Sequence, residues 1–200
     1  MKRALLFVLT LLLAAPVFAL SRDTFEANMR KLWEDHVTWT RLYIVDAAAG
    51  LPDTNATAQR LLDNQRDIGN AVAEFYGKAA GDKLTALLRD HILTAADLVT
   101  AAKAGDQAKV AAAKTKWYAN ANDIAAFLHG ANPNNWPLAT LQSAMKTHLD
   151  QTLDEATHQL HHDYPASIKD YDAIVNHILM MADVLSSGII KQFPAKFDRA

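Results

Sequence analysis

Apolar residues recur about every 3.6 positions along almost the whole chain after residue 19, the spacing that places them on one face of an α-helix. Alternation with a period of two, typical of strands, is absent, and the five prolines of this part stand at the ends of the apolar stretches. The pattern therefore predicts an all-α fold: an antiparallel helical bundle of four long core helices plus two additional helices. The predicted helices span 24–49, 55–76, 82–104, 106–128, 138–162 and 165–192.

The composition agrees with a folded helical protein. Half of the residues are hydrophobic and 21% are charged, which is enough apolar surface for a core. The chain has no cysteine, which excludes disulfides, thiolate metal sites, iron–sulfur clusters and covalent c-type haem.

The first nineteen residues have the three parts of a secretory signal peptide. Lys2 and Arg3 form a basic start, 4–15 form an apolar stretch, and Val17 and Ala19 place small residues at a cleavage site. Twelve apolar residues are too few for a helix that spans a bilayer of about 30 Å. We therefore predict a signal peptide over 1–19, a single helical domain over 20–200, and a periplasmic or secreted protein.

The charge balance argues against some partners. Without Lys2 and Arg3 the chain keeps 18 basic and 22 acidic residues, and no basic cluster stands out. Nucleic-acid binding depends on clustered Lys and Arg, so we expect no nucleic-acid partner. Since we find no later run of about 18 apolar residues, we also expect no integral membrane segment after signal cleavage.

Four of the eight histidines fall near the middle of different predicted helices: His36, His91, His148 and His177. His36 and His91 lie within the apolar faces of their helices, and His148 lies at the edge of its face. His177 is turned about 100° from the neighbouring Ile178, a direction that can point it outward. Because midpoints of bundle helices lie at similar levels, these imidazoles could share one central layer. Imidazole is the commonest protein ligand of transition metals, so the pattern predicts a site for Fe, Cu or Zn, with b-type haem as a weaker variant.

Several polar residues near these histidines are candidates to orient the imidazole rings by hydrogen bonds. Thr40 and Thr152 follow a histidine by one helical turn, Glu155 follows by two, and Asp97 and Asp183 follow by six residues. Two other interpretations remain open. The histidines could form a buried hydrogen-bond layer in a non-catalytic structural or interaction protein of the cell envelope. Alternatively, the bundle could bind a small molecule in a pocket lined by aromatic residues.

Motifs of the common enzyme classes are absent from the sequence. It contains no H-E-x-x-H, no G-x-S-x-G, no glycine-rich nucleotide loop and no paired Glu-x-x-His of di-iron proteins. We therefore favour a binding or structural role over an enzyme.

Four longer motifs are spread over the chain: LWxxHVxWTR at 32–41, GLPD at 50–53, AAKAGD at 101–106 and GIxKQFP at 188–194. By these motifs the chain resembles a family of uncharacterised bacterial, often exported, all-helical proteins. The resemblance implies a helical fold and no established activity, and it places His36, His91, His148 and Asp183 within the family pattern.

Overall fold

The structure is a computed structural model that describes residues 19–198. This part of the chain forms six α-helices and a short 3₁₀ helix at Pro194–Lys196. The helices are α1 (Arg22–Ala49), α2 (Thr54–Tyr76), α3 (Lys78–Lys103), α4 (Gln107–Ala131), α5 (Leu138–Leu160) and α6 (Tyr164–Gln192). The all-α prediction is confirmed, whereas nearly all of the predicted signal peptide lies outside the described residues.

The helix ends follow from local sequence. Asp106 and Asp163 accept hydrogen bonds from backbone N–H groups of the first turns of α4 and α6, as N-caps do. Gly50 ends α1 with a φ of 71°, in the left-handed region that glycine adopts without strain. Gly77, with a φ of 85°, is the only residue between α2 and α3, so α3 begins four residues earlier than predicted.

The six helices form a closed ring. Each helix packs against its neighbours in the chain, and α6 packs against α1. In addition, α1, α3 and α5 contact one another across the interior. Within this bundle we call α1, α3 and α5 the central helices, and α2, α4 and α6 the peripheral helices.

The core includes residues of all six helices and Trp136 of the α4–α5 loop. The Trp136 indole donates a hydrogen bond to the Val184 carbonyl of α6, and Asn132 donates one to the Gly188 carbonyl. A Cβ atom at Gly188 would lie 2.0 Å from the Trp136 indole nitrogen, so only glycine fits here. These two hydrogen bonds therefore hold the end of α4 against α6.

Among residues 19–198, α6 is the one helix whose length and composition would suffice to cross a membrane, with a mean hydropathy of 1.6 over its most apolar window. Half of that window is buried within the protein, where α6 packs against α1 and α5. A helix that packs in the core of a protein meets the same criterion of length and composition, so α6 alone does not identify a membrane segment.

Candidate functional site: a histidine layer beside an apolar cavity

Three histidines meet where the three central helices contact one another. His36 on α1, His91 on α3 and His148 on α5 are only 3%, 3% and 4% exposed. The ring centres of His36 and His148 lie 5.6 Å apart, and those of His91 and His148 lie 6.4 Å apart. We call these three residues the histidine layer.

An asparagine of α4 orients His91. The Asn120 side-chain amide donates a hydrogen bond to the Leu87 carbonyl at 3.0 Å, which turns its Oδ1 towards His91 Nδ1 at 2.9 Å. Since Oδ1 can only accept, Nδ1 of His91 must be the protonated nitrogen. The neutral His91 ring therefore has a free lone pair on Nε2.

A glutamine of α2 contacts His36 and favours the tautomer opposite to that of His91. Gln65 Nε2 donates to the Leu61 carbonyl at 2.8 Å and lies 3.1 Å from Asn64 Oδ1 and 3.3 Å from His36 Nδ1. The amide has only two hydrogens for these three acceptors, and His36 Nδ1 is the most distant of them. Since the amide nitrogen does not accept, a proton on His36 Nδ1 would face it without a partner, and a lone pair fits there better. The proton of the neutral His36 ring is therefore on Nε2.

The ring of His148 makes fewer hydrogen bonds than the rings of His36 and His91. Its Nδ1 atom is buried and has no hydrogen-bond partner within 19–198. An unpaired buried polar atom destabilises a fold by about 1–3 kcal/mol. Five other buried side-chain atoms of the described residues are unpaired as well, so this atom alone does not mark a site.

All three rings are uncharged at neutral pH. Burial and, to a smaller extent, repulsion by His91 lower the pKa of His36 to about 3. Burial lowers the pKa of His91 to about 4, against the opposing hydrogen bond with Asn120. The pKa of His148 falls well below its usual value through burial and through repulsion by His36, His91 and His177.

The histidine layer forms part of the wall of a cavity of about 180 Å³. The rest of the wall is almost wholly apolar, and it includes no Asp, Glu, Lys or Arg. Its buried apolar lining includes Leu88, Ile124, Leu141, Met145, Ile178 and Met181.

The cavity opens between α5 and α6. Met180 and Val184, one turn apart on α6, line it and are 60% and 43% exposed. His177 lies beside them, half-buried, and its Nε2–H donates to the Ala144 carbonyl of α5 at 2.9 Å. His177 therefore lines the cavity near its mouth, outside the histidine layer.

The five predicted supporting residues contact other groups. The hydroxyls of Thr40 and Thr152 donate to the backbone carbonyls of His36 and His148, not to imidazole nitrogens. Mid-helix threonines commonly make this bond to the carbonyl one turn back.

The acidic candidates also lie away from the rings. Glu155 pairs with Arg41 at 2.6 Å, Asp183 pairs with Arg30 at 2.8 Å, and Asp97 is exposed. The residues that do orient imidazoles, Gln65 and Asn120, were missed by the sequence analysis.

The rings are not arranged as a ready-made metal site. Within the described part of the chain, no group of three or more His, Cys, Asp or Glu residues is placed to hold a metal ion. Three imidazoles that share one zinc ion at 2.0–2.1 Å have ring centres about 5.5 Å apart or less. The 5.6 Å pair is close to that value, whereas the 6.4 Å pair is too wide.

Compared with models of known protein families, with curated proteins and with solved structures, the chain matches none, so its function has to be inferred from the geometry of this site.

Proposed function

We propose that this protein binds a small, neutral, largely apolar molecule in the cavity beside the histidine layer. The observation behind the proposal is an apolar cavity that ends on three uncharged imidazoles with unused hydrogen-bonding atoms. Pockets of this kind, apolar with a few convergent polar groups, are typical of small-molecule sites.

The size of the cavity limits the ligand to about one ring. An engineered cavity of about 150 Å³ in another protein binds benzene, and the present cavity is about 180 Å³. A benzene derivative with one small substituent would fill it. A haem macrocycle is several times larger, so the cavity does not support the haem variant.

The wall also selects against charge. A charged ligand would lose its hydration without meeting an ionic partner, since the wall has no Asp, Glu, Lys or Arg. A neutral ligand avoids that cost.

Ligand-induced thermal stabilisation tests the proposal with toluene as the probe. Binding to the folded state raises the melting temperature as the ligand concentration rises above Kd. Ala144→Phe places a ring at the mouth, and Ser143→Phe places the same ring on the exposed face of α5 as a matched control.

We expect toluene to stabilise the wild type and Ser143→Phe but not Ala144→Phe. No stabilisation of the wild type near the solubility limit of toluene, or equal stabilisation of all three proteins, would contradict the proposal.

A transition metal bound by His36, His91 and His148 is the second candidate. Two observations favour it. The His148 ring lies beside the neutral rings of both His36 and His91, and an amide oxygen accepts from His91 Nδ1, as metal-binding histidines typically donate their other N–H to such a group. The ring spacing and the proton on His36 Nε2 weigh against it, since binding would require ring movement and a change of tautomer.

Elemental analysis of tag-free protein after supplementation with Fe, Cu and Zn tests this candidate. One metal per chain in the wild type, lost in His148→Gln, is the expected result if a metal binds. Substoichiometric metal in the wild type would rule it out and leave the small-molecule site or a purely structural hydrogen-bond layer.

We also propose export from the cytoplasm, on the basis of the N-terminal sequence. N-terminal sequencing of the protein from an expressing bacterium should find a mature chain beginning at Leu20. A chain that keeps its first nineteen residues would contradict export by a cleaved signal peptide.

A further inference from the structure

We infer that the ligand is a phenol, a single aromatic ring with one hydroxyl group, and that His36 and His91 together bind that hydroxyl. The inference rests on the proposed small-molecule site and names the chemical class of its ligand. It follows from the two different tautomers of these rings.

The two rings offer one donor and one acceptor. His36 accepts on Nδ1 from Gln65 and therefore has N–H at Nε2, whereas His91 donates from Nδ1 to Asn120 and therefore has a lone pair at Nε2. A hydroxyl group can accept one hydrogen bond and donate another, so it is complementary to this pair of nitrogens.

Both Nε2 atoms belong to the inner edges of their rings. The Nδ1 edge of His36 faces α2 and that of His91 faces α4, two peripheral helices. The Nε2 edges are therefore turned towards the interior, where both rings line the cavity. Neither nitrogen has a hydrogen-bond partner among the described residues, so a ligand can pair with both.

Other polar groups of similar size fit less well. A ketone or an ether accepts only and would leave the His91 lone pair unpaired. An ammonium or carboxylate group would bring a charge into a wall with no ionic partner. Water could bind the same two nitrogens, but it would leave the apolar part of the cavity unfilled.

The apolar part of the cavity suits an aromatic ring. Met145 and Met181, both buried, line it together with Leu141. Thioether sulfurs make favourable contacts with aromatic rings, and methionine side chains adapt to the shape of a ligand. A ring whose hydroxyl lies at the histidine layer would place its far side among these residues.

Calorimetric titration of metal-free protein with phenol, anisole and toluene tests the inference at a pH near 7.5. Anisole keeps the oxygen but cannot donate, and toluene lacks the oxygen. Toluene is the most hydrophobic of the three, so burial alone would favour it over phenol.

We expect phenol to bind at least about tenfold more tightly than either analogue, since each analogue leaves a buried histidine nitrogen unpaired. His91→Phe keeps an aromatic ring but removes the acceptor, so phenol should lose its advantage over anisole. His161→Phe, at an exposed position, should leave the preference unchanged.

The outcomes separate the inference from the proposed function. If toluene or anisole binds the wild type as tightly as phenol, the inference is wrong while the small-molecule site stands. If none of the three binds, both are wrong. If His91→Phe folds and keeps the preference for phenol, His91 does not bind the hydroxyl. The wild-type comparison decides the ligand class even where that variant fails to fold.

Discussion

Mild acid should destabilise this protein strongly, because three buried histidines must stay neutral in the folded state. Burial lowers the pKa of His36 to about 3 and that of His91 to about 4, and it lowers the pKa of His148 well below the usual value. In the unfolded chain each pKa returns to about 6.5. Below that pH the unfolded state binds more protons than the folded state, so the free energy of unfolding falls as the pH falls.

The size of the effect follows from these pKa values. At about pH 5 each unfolded histidine gains roughly 2 kcal/mol by protonation that its folded counterpart cannot gain, which amounts to about 6 kcal/mol for three. Glu155 acts in the opposite direction, because burial raises its pKa to about 7 against the pull of Arg41. Between about pH 7.5 and 5 the folded protein takes up a proton on Glu155 that the unfolded chain does not. This uptake stabilises the fold by roughly 2–3 kcal/mol and offsets part of the loss caused by the histidines. The net loss between about pH 7.5 and 5 is therefore about 3–4 kcal/mol.

Urea denaturation at several pH values measures this loss directly. Glu155→Gln removes the opposing carboxyl and should steepen the loss towards about 6 kcal/mol. His148→Gln replaces one titrating ring by a neutral side chain and should make it shallower. A free energy of unfolding that changes by less than about 1 kcal/mol over this range in both the wild type and Glu155→Gln would refute the neutral histidine layer.

Three further substitutions test the packing around the site by urea denaturation. Arg41→Met leaves the buried Glu155 carboxylate unpaired and should destabilise the fold by about 3–5 kcal/mol near pH 8. The loss should be smaller near pH 6, where Glu155 is protonated. An equal loss at both pH values would contradict this. Gly188→Ala should cost about 1–3 kcal/mol through its clash with a tryptophan indole, whereas Gly130→Ala, which meets nothing within 4 Å, should not destabilise; equal effects would contradict the clash. Asn120→Ala should cost about 1–3 kcal/mol because it leaves two buried partners unpaired, and a neutral effect would show that it does not orient His91.

Apolar periodicity was sufficient to predict all six helices and to place three of the histidines. His36, His91 and His148 lie near the middles of α1, α3 and α5 and on or close to their apolar faces. Once those three helices pack together, the three rings meet at one level. His177 also lies mid-helix, but α6 is peripheral, so its ring lies near the cavity mouth.

Helix geometry also explains why the predicted acidic partners lie elsewhere. Asp97 follows His91 by six residues, which turns it about 120° away, so an inward histidine implies an outward aspartate. Glu155 follows His148 on nearly the same face, but about 10 Å further along α5, where it meets Arg41 instead of a histidine.

The amides that orient the imidazoles depend on contacts between helices. Gln65 and Asn120 stand on α2 and α4, each 29 residues in sequence from its histidine. Their roles follow from the relative rotation of neighbouring helices, which apolar spacing defines only coarsely. A polar pair at 64–65 between the apolar residues of α2 is the one local sign of such a role.

Nitrogen NMR of ¹⁵N-histidine-labelled, metal-free protein during a titration with phenol tests the central claim most directly. We predict that His36 and His91 are neutral near pH 7, with protons on Nε2 and Nδ1 respectively, and that both Nε2 resonances shift in a saturable way as phenol binds. Protonated rings near pH 7, the reverse tautomers, or resonances that do not respond to phenol, toluene or anisole would contradict the account.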